Sequence, residues 1–371
     1  MNVMTKCGTE QNVATYEHFC DTAADIKNIN PKEITLGSVC VVLQGESGSM
    51  EIYIANSNKE WINIADSNEK EAEEINTAEE LVELLNDESF SGIMKLAAPM
   101  DLTSTFTIKG NQDITIDLNN QTINSTNTLF NITEGGQLTL TGKGNVSTSG
   151  NIANVYAGQL IIEDGTYDSN AGNYGAAAIS SNAKIIFNGG KLTTQEAGLM
   201  AFDGGEIVMN DGEIAPRDNF AIGTNGSAGR GGNTITINGG KLVGNIQSAG
   251  YEAIGVYLPN DDIFIMNDGE IIANGGAGIV QRGGSCTIKG GTITATGTPG
   301  ATGWVGDNKT KMSQSAVIYH ETANYPAKDS MYLKITGGTF TGEAHSIEIL
   351  SDKQNPNVHI FGGTFNPAYP E

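Results

Sequence analysis

The sequence lacks the long apolar segments that would mark a membrane or secreted protein. Its 371 residues contain no run of 18 apolar residues, and residues 1–13 are polar without the apolar centre of a leader peptide. A helix that crosses a bilayer needs about 20 apolar residues, and a leader needs an apolar stretch of its own. We therefore expect neither a membrane anchor nor export through a cleaved leader.

Cationic side chains are scarce, since 20 Lys and Arg stand against 43 Asp and Glu, and the formal net charge is −23. A surface that binds nucleic acid or an anionic membrane needs clustered Lys and Arg. The charge balance thus disfavours nucleic acid and membrane as partners. It leaves Ca²⁺, another cationic partner or plain solubility as reasons for the acidic composition, and we expect no other cofactor.

Cysteine and histidine are also few. Cys7, Cys20, Cys40 and Cys286 do not have the spacing of a metal site, and none of the four histidines belongs to a His-x-x-x-His motif. We therefore expect no metal centre, and at Cys286 a thiol that packs as a small apolar side chain. Cys20 and Cys40 could form a disulfide, but no other feature indicates an oxidising compartment, and reduced thiols are favoured.

Glycine, in contrast, is abundant, with 48 residues, while only 17% of the chain is charged. This composition is typical of a turn-rich all-β protein. Many of the glycines belong to one repeated motif, as in residues 185–192 (IIFNGGKL) and 207–214 (IVMNDGEI), where apolar residues alternate on either side of a Gly-containing turn. Ten copies of the motif begin at Ile116, Leu138, Leu160, Ile185, Ile207, Ile235, Phe264, Cys286, Leu333 and Val358.

Successive copies begin 22 to 29 residues apart, except for one gap of 47 residues. Two short strands around a Gly turn, repeated at this period, are typical of a parallel β-solenoid with one coil per copy. A third apolar segment late in each period, such as residues 198–200 or 278–280, predicts a third side for each coil. We therefore predict an all-β fold, a right-handed parallel β-helix of about ten to eleven coils, with the eleventh hidden in the long gap around residues 316–319.

Polar positions beside the turn recur in four successive copies. After the turn they predict a surface charge ladder of Lys191, Glu213, Lys241 and Glu270. Before the turn they predict a hydrogen-bonded amide ladder of Asn188, Asn210, Asn238 and Asn267.

The chain divides into three parts. Residues 1–65 include three apolar strands that predict a small β-hairpin module, and residues 66–76 form an acidic linker. Residues 77–371 begin with a helix in which Thr77 and Glu80 have the spacing of a capping box. An apolar helix face before the first coil would cover the open end of the hydrophobic tube.

Candidate binding residues are the aromatic side chains of the two longest coils, because insertions on a solenoid often carry function. The alternative is that Tyr257 and Tyr319 only pack within the third strand. This candidate recognition patch consists of Trp304, Tyr319, His320, Tyr325, Tyr251 and Tyr257.

Catalytic residues are not indicated. Asp261 and Asp262 form the only Asp-Asp doublet of the repeat region, and paired carboxylates can cleave glycosidic bonds. Neighbouring residues of a strand point to opposite faces, however, so the doublet is better explained as part of a turn. We expect a protein that is not an enzyme, with glycan hydrolysis or lysis as the alternative.

Two stretches resemble known families. Residues 77–365, with the opening coil DITIDLNNQTI, resemble the Gly-Gly-Thr-Ile type of right-handed β-helix found in surface and phage proteins of Gram-positive bacteria. Residues 16–64, with LGSVCVVLQGESGSMEIYIANSNKEWINI, resemble short hairpin modules near the N-termini of tailed-phage virion proteins, including head fibres and capsid decoration proteins.

These resemblances imply a phage virion structural protein that attaches to the capsid or to other virion proteins through residues 1–65. The β-helix would project outward and bind host-surface or mucus glycans, and by analogy with phage fibres the chain would form a homotrimer. Release by host lysis would explain the lack of a leader. The alternatives are a tail fibre or tailspike that binds a receptor or degrades polysaccharide, and a bacterial surface adhesin.

Overall fold

The computed structural model describes residues 17–34, 38–44, 51–55, 59–63, 72–245, 253–297, 313–322 and 325–368. The chain forms two compact units, Met1–Ala72 and Glu73–Glu371.

The N-terminal unit contains a four-stranded sheet in the order β1 (Glu17–Thr22), β2 (Val39–Gln44), β3 (Glu51–Ala55) and β4 (Trp61–Asn63). The last three strands are antiparallel neighbours, which confirms the predicted hairpin module. The strand before them, β1, lies parallel to β2.

One face of this sheet packs on the 3₁₀-helix Ala23–Asn28, and a second 3₁₀-helix, Pro31–Glu33, follows it in the chain. Cys20, Cys40 and Val42 are its buried centre, in contact with partly buried side chains such as Trp61. The two Sγ atoms are 3.5 Å apart and both cysteines are free thiols. Burial raises the pKa of Cys40 to about 12, with the contact from Cys20 as the next cause.

The second unit is a parallel β-helix of right-handed type. It has one α-helix, α1 (Ala78–Asn86), among its described residues, and three parallel sheets of 12, 11 and 10 strands. The first sheet begins with β5 (Glu73–Ile75) and β6 (Gly92–Leu96) and continues with the strands that precede the turn of each repeat copy: β9 (Asp113–Asp117), β12 (Gly136–Thr141), β15 (Gly158–Ile162), β18 (Ala183–Phe187), β21 (Glu206–Met209), β24 (Thr234–Ile237), β27 (Ile263–Met266), β30 (Ser285–Ile288), β33 (Tyr332–Ile335) and β36 (Val358–Ile360).

The other two sheets complete the three-sided coil. The second sheet follows the turn and contains β7 (Met100–Leu102), β10 (Thr122–Ser125), β13 (Asn145–Thr148), β16 (Thr166–Ser169), β19 (Lys191–Thr194), β22 (Glu213–Ile214), β25 (Lys241–Gly244), β28 (Glu270–Asn274), β31 (Thr292–Thr296), β34 (Thr339–Gly342) and β37 (Thr364–Asn366). The third sheet contains β8 (Phe106–Lys109), β11 (Phe130–Thr133), β14 (Ala153–Val155), β17 (Tyr174–Ala178), β20 (Ala197–Ala201), β23 (Phe220–Thr224), β26 (Ile254–Leu258), β29 (Ala277–Gln281), β32 (Ser315–His320) and β35 (His345–Leu350).

The repeat copies lie in register, as the alternation of apolar residues predicted. Ile185, Ile207, Ile235 and Phe264 pair directly across four neighbouring strands and are fully buried. Only the first copy is displaced, because Ile114, two residues before the predicted start, is level with Leu138. Continuous inner columns therefore form the core of the β-helix.

The turn residues adopt the backbone conformation that the motif required. Gly190 has φ = +82°, and Asn120, which replaces glycine in the first copy, has φ = +62°. Asparagine tolerates this left-handed region better than other residues with a Cβ. The residue type at the turn therefore favours the backbone conformation of each corner locally.

The prediction of an eleventh coil within the 47-residue gap is wrong. Cys286 of β30 pairs directly with Leu333 of β33, so the gap is a single coil lengthened by connections around β32. Additional strands lie at the other end, where β5 pairs with β6 and Met94 of β6 pairs with Ile116. The β-helix therefore has about 13 turns, more than the ten to eleven coils expected.

The predicted N-terminal helix is present and packs on the first strands. The Thr77 hydroxyl accepts a hydrogen bond from the Glu80 backbone N–H, and the Thr77 backbone N–H donates one to the Glu80 carboxylate, as in a capping box. Leu81 and Leu85 are buried in the core against β5, β7 and β8. The acidic linker ends earlier than expected, because β5 (Glu73–Ile75) pairs with β6 and belongs to the first sheet.

A column of small residues lines the bend at the start of the third sheet. Gly255 is level with Gly278 and Ala221 in the adjoining coils. A Cβ at Gly255 would lie 2.1 Å from Cγ2 of Ile271, and one at Gly278 would lie 2.3 Å from the corresponding Ile293. The second sheet thus approaches this corner so closely that only glycine fits at positions 255 and 278.

Candidate functional site

The third sheet differs from the other two because several of its strands are buried on both faces. Strands of the first and second sheets alternate between buried and partly exposed residues, whereas every residue of β20, β26, β29 and β32 is buried. Its outward side chains form two apolar clusters, one around Met200 and one around Val280, and Phe220 packs against both. We call these the outer clusters.

A loop of residues 225–233 borders this outer surface and joins the third sheet to the first. Nδ2 of the buried Asn260 donates to the carbonyls of Asn225 (2.9 Å) and Ser227 (2.8 Å). The backbone N–H of Gly232 donates to the Asp261 carbonyl (2.7 Å). The following coil therefore fixes the loop at several points.

Asp262 is the buried carboxylate that anchors the base of this loop. It accepts hydrogen bonds from the Thr224 hydroxyl (2.5 Å) and from the Asn233 amide side chain (2.7 Å). Burial raises the pKa of Asp262, although these hydrogen bonds act in the opposite direction. The neighbouring Asp261 is exposed and accepts from the Ser330 hydroxyl (3.1 Å).

Both carboxylates of the doublet thus accept hydrogen bonds from other residues of the protein, as expected for acidic residues in a turn. Asp262 acts within the protein, and its donors hold the loop in place rather than leaving its oxygens open to a substrate. The predicted doublet is therefore better described as a loop anchor than as an acid and base pair.

Three of the sequence-predicted aromatic and histidine residues come together around Arg282. Nη1 of Arg282 donates to the hydroxyls of Tyr257 (3.2 Å) and Tyr325 (3.1 Å), and these two hydroxyls are 2.7 Å apart. The guanidinium Cζ lies 5.6 Å and 5.2 Å from the centroids of the same two rings. Arg282 is buried, so the cluster is a cation–π core on the outside of the tube.

His320 is the third member of this group. Gln281 pairs with Tyr319, which places His320 level with Arg282 on the adjoining strand. Burial, together with the nearby Arg282 charge, lowers the pKa of His320 to about 4. The imidazole is therefore neutral across the physiological range.

Tyr319 is separated from the group. Tyr257 pairs with Val280, and Val280 pairs with Ile318, so Tyr319 stands one position further along and faces the interior. It is fully buried in the main core, which matches the alternative that it packs within the third strand. The other two predicted residues, Tyr251 and Trp304, lie outside the described residues.

A pocket of about 290 Å³ lies beside the same loop and was not predicted. It is lined by Tyr174, Ile179, Phe202, Asn225, Ser227 and Arg230. Tyr325 of the Arg282 group packs on the same loop, because a Cβ at Gly226 would lie 2.4 Å from Cε1 of Tyr325. The loop therefore has the pocket on one side and the Arg282 group on the other.

A sequence signal for this surface existed but was weak. Tyr174 and Phe220 begin their third strands, while Phe202 follows its strand, so aromatic residues recur around the third sheet without a fixed position in the repeat. Arg230 lies in a loop and Arg282 directly follows a strand, so the periodic pattern of the repeat does not predict a role for either residue.

The outer edge beside the turns carries the predicted ladders. Nδ2 of Asn210 donates to Oδ1 of Asn188 (2.6 Å), and Nδ2 of Asn238 donates to Oδ1 of Asn210 (2.7 Å). Lys191 pairs with Glu213 at 2.8 Å in the charge ladder. These polar rows support a stacked surface, and each exposed ion pair contributes about 0–1 kcal/mol.

The described part of the chain has neither a cluster of metal ligands nor a helix that could span a membrane. Within the described ranges, no three His, Cys, Asp or Glu side chains converge as ligands for Ca²⁺ or another metal. Among those residues, too, no helix has the length and apolar character needed to cross a membrane.

Comparison with known proteins gave no match to any family model, to any curated protein or to any solved structure.

Proposed function

We propose that this chain is a phage virion structural protein, of the head-fibre or capsid-decoration kind, that attaches through its N-terminal unit and displays the β-helix. The observation that carries the proposal is an apolar face on the N-terminal sheet. Phe19 is 65% exposed and Leu43 is 53% exposed, and Ile52 and Ile54 also face solvent.

These side chains share one face of the sheet. Phe19 pairs with Val41, and Val41 pairs with Ile52, so apolar residues of three strands stand side by side. The opposite face contains Cys20 and Cys40 and is already packed. Apolar side chains grouped on an exposed face are typical of a surface that binds another protein.

Burial of these apolar side chains against a partner would supply favourable free energy for docking. Covering a side chain of the size of Phe or Leu stabilises a complex by roughly 1.5–3 kcal/mol relative to leaving it exposed. Part of that gain is lost to the entropy of association. Repeated copies of one docking unit on a particle would then hold the β-helices outward without a membrane anchor.

The second unit supports a role in display rather than catalysis. Its first and second sheets present hydrogen-bonded amides and ion pairs of stacked coils, such as Asn188 with Asn210 and Lys184 with Glu206 (2.8 Å). The acidic doublet anchors a loop through Asp262. Binding by a rigid, non-enzymatic rod is therefore the function that these contacts favour.

The test is co-sedimentation of the full-length protein with phage particles prepared without it. We expect the wild type to sediment with particles, and Phe19→Asp together with Leu43→Asp to abolish this, because charge on the sheet face opposes apolar docking. Phe361→Asp is the matched control, since Phe361 is 70% exposed but belongs to the β-helix.

Binding of the Phe19 and Leu43 double variant at the wild-type level would refute docking through this face. Negative-stain images of bound particles would show whether the protein lies on the head or on the tail. A tail position would favour the receptor-binding alternative over a capsid decoration.

A further inference from the structure

We propose that the pocket between Tyr174, Phe202 and Arg230 binds a neutral oligosaccharide. This inference rests on the proposed function, because it supplies a ligand class and a site for the displayed β-helix. It uses residues of the second unit alone.

The floor of the pocket is aromatic. The rings of Tyr174 and Phe202 have centroids 5.8 Å apart and are inclined by 56°, and Ile179 lies beside them. All three are only partly buried, so their faces are open to a ligand. The face of an aromatic ring is negatively polarised and attracts the C–H bonds on the apolar face of a sugar ring.

The rim of the pocket is polar and close to neutral in charge. Nη1 of Arg230 is 2.7 Å from Oδ2 of Asp203, and its Cζ lies 6.0 Å from the Phe202 ring centroid. Asn225 and Ser227 stand on the same rim. The guanidinium, amide and hydroxyl groups can donate and accept hydrogen bonds with sugar hydroxyls.

Charge selects a neutral sugar over an anionic ligand. The positive charge of Arg230 is matched by Asp203, and the chain as a whole has a formal charge of −23. A carboxylated or phosphorylated ligand would meet that negative field without a free cation in the pocket to offset it. A wholly apolar ligand would leave the rim groups without hydrogen bonds.

The polar rim is held in place before a ligand arrives. Asn225 and Ser227 are bonded through their carbonyls to Asn260, and Nδ2 of Asn233 holds the Arg230 carbonyl (2.9 Å). A fixed rim lowers the entropy that is lost on binding. The volume of about 290 Å³ is at the small end of ligand pockets and suits one or two sugar rings of a longer chain.

The experiment is saturation-transfer NMR followed by calorimetry on the full chain, with maltohexaose, cellohexaose, laminarihexaose and chitohexaose as neutral probes. A hexamer of galacturonate serves as the anionic probe. We expect at least one neutral hexamer to bind and the galacturonate hexamer not to bind. If no neutral hexamer binds, or if the anionic probe binds more tightly, the proposal is overturned.

Variants then locate the site. Phe202→Ala should weaken binding by about tenfold or more, and Arg230→Gln should weaken it as well, while Phe202→Tyr keeps the ring and retains affinity. Phe361→Ala removes an exposed aromatic side chain elsewhere on the β-helix and should leave affinity unchanged. Equal binding by wild type and Phe202→Ala would refute the site.

Failure here is distinguishable from failure of the proposed attachment. Phe202→Ala should still sediment with particles, because docking depends on Phe19 and Leu43 of the other unit. A protein that binds hexamers but not particles would retain the pocket and lose the virion proposal.

Discussion

Acidification should destabilise the β-helix through His320. The pKa of this residue in the folded protein is about 4, because burial and the Arg282 charge disfavour the imidazolium. An unfolded chain has a histidine pKa of about 6.5. The folded state therefore binds fewer protons than the unfolded state between these values, and the stabilisation present above pH 6.5 is lost as the pH falls towards 4.

The magnitude follows from the width of that window. Each unit of pKa difference corresponds to about 1.4 kcal/mol, so roughly 2 kcal/mol is lost at pH 5 and about 3 kcal/mol once the pH is below 4. Carboxylates also titrate in this range, so the comparison needs a variant. His320→Gln keeps a neutral polar side chain that does not titrate.

The assay is urea denaturation of wild type and His320→Gln at about pH 7.5 and pH 5, with the unfolding free energy of each. We expect the wild type to lose roughly 2 kcal/mol more than the variant. NMR titration of the histidine ring protons gives the pKa directly. Equal losses in the two proteins, or a folded-state pKa of His320 near 6.5, would show that the imidazole is not desolvated beside Arg282.

Three further outcomes are expected. Gly255→Ala should lower the unfolding free energy by about 1–3 kcal/mol, because the new methyl group would clash with Ile271. Gly172→Ala is the control and should not lower it, because the space around Gly172 is open. Equal urea midpoints for the two variants would contradict the tight corner. Asn210→Asp removes the donor to the amide in the coil below and should cost about 0.5–1.5 kcal/mol by the same measurement. Cys40 should react slowly with a thiol reagent at pH 8, as its raised pKa of about 12 leaves little thiolate, and rapid labelling located by mass spectrometry would argue against its burial.

The architecture could be predicted from the sequence because its signals are local. Glycine or asparagine at the turn, as at Gly190 and Asn120, selects the backbone conformation of each corner. Alternation with a period of two residues assigns the inner column, and the capping box at Thr77 begins the only α-helix of the described residues. Each signal lies within about ten residues, a range over which stereochemistry alone restricts the chain.

The proposed binding surface, in contrast, depends on the tertiary structure. Tyr257 and Tyr319 look equivalent in sequence, yet they differ by one position in register, and one position reverses the face of a strand. The pocket joins Tyr174, Phe202 and Arg230 from separate coils, and a buried carboxylate, Asp262, fixes the loop that completes it. The sequence repeat predicts that the coils stack. Which side chains meet outside the tube depends instead on the length of each insertion and on the contacts of its polar groups, which the repeat does not encode.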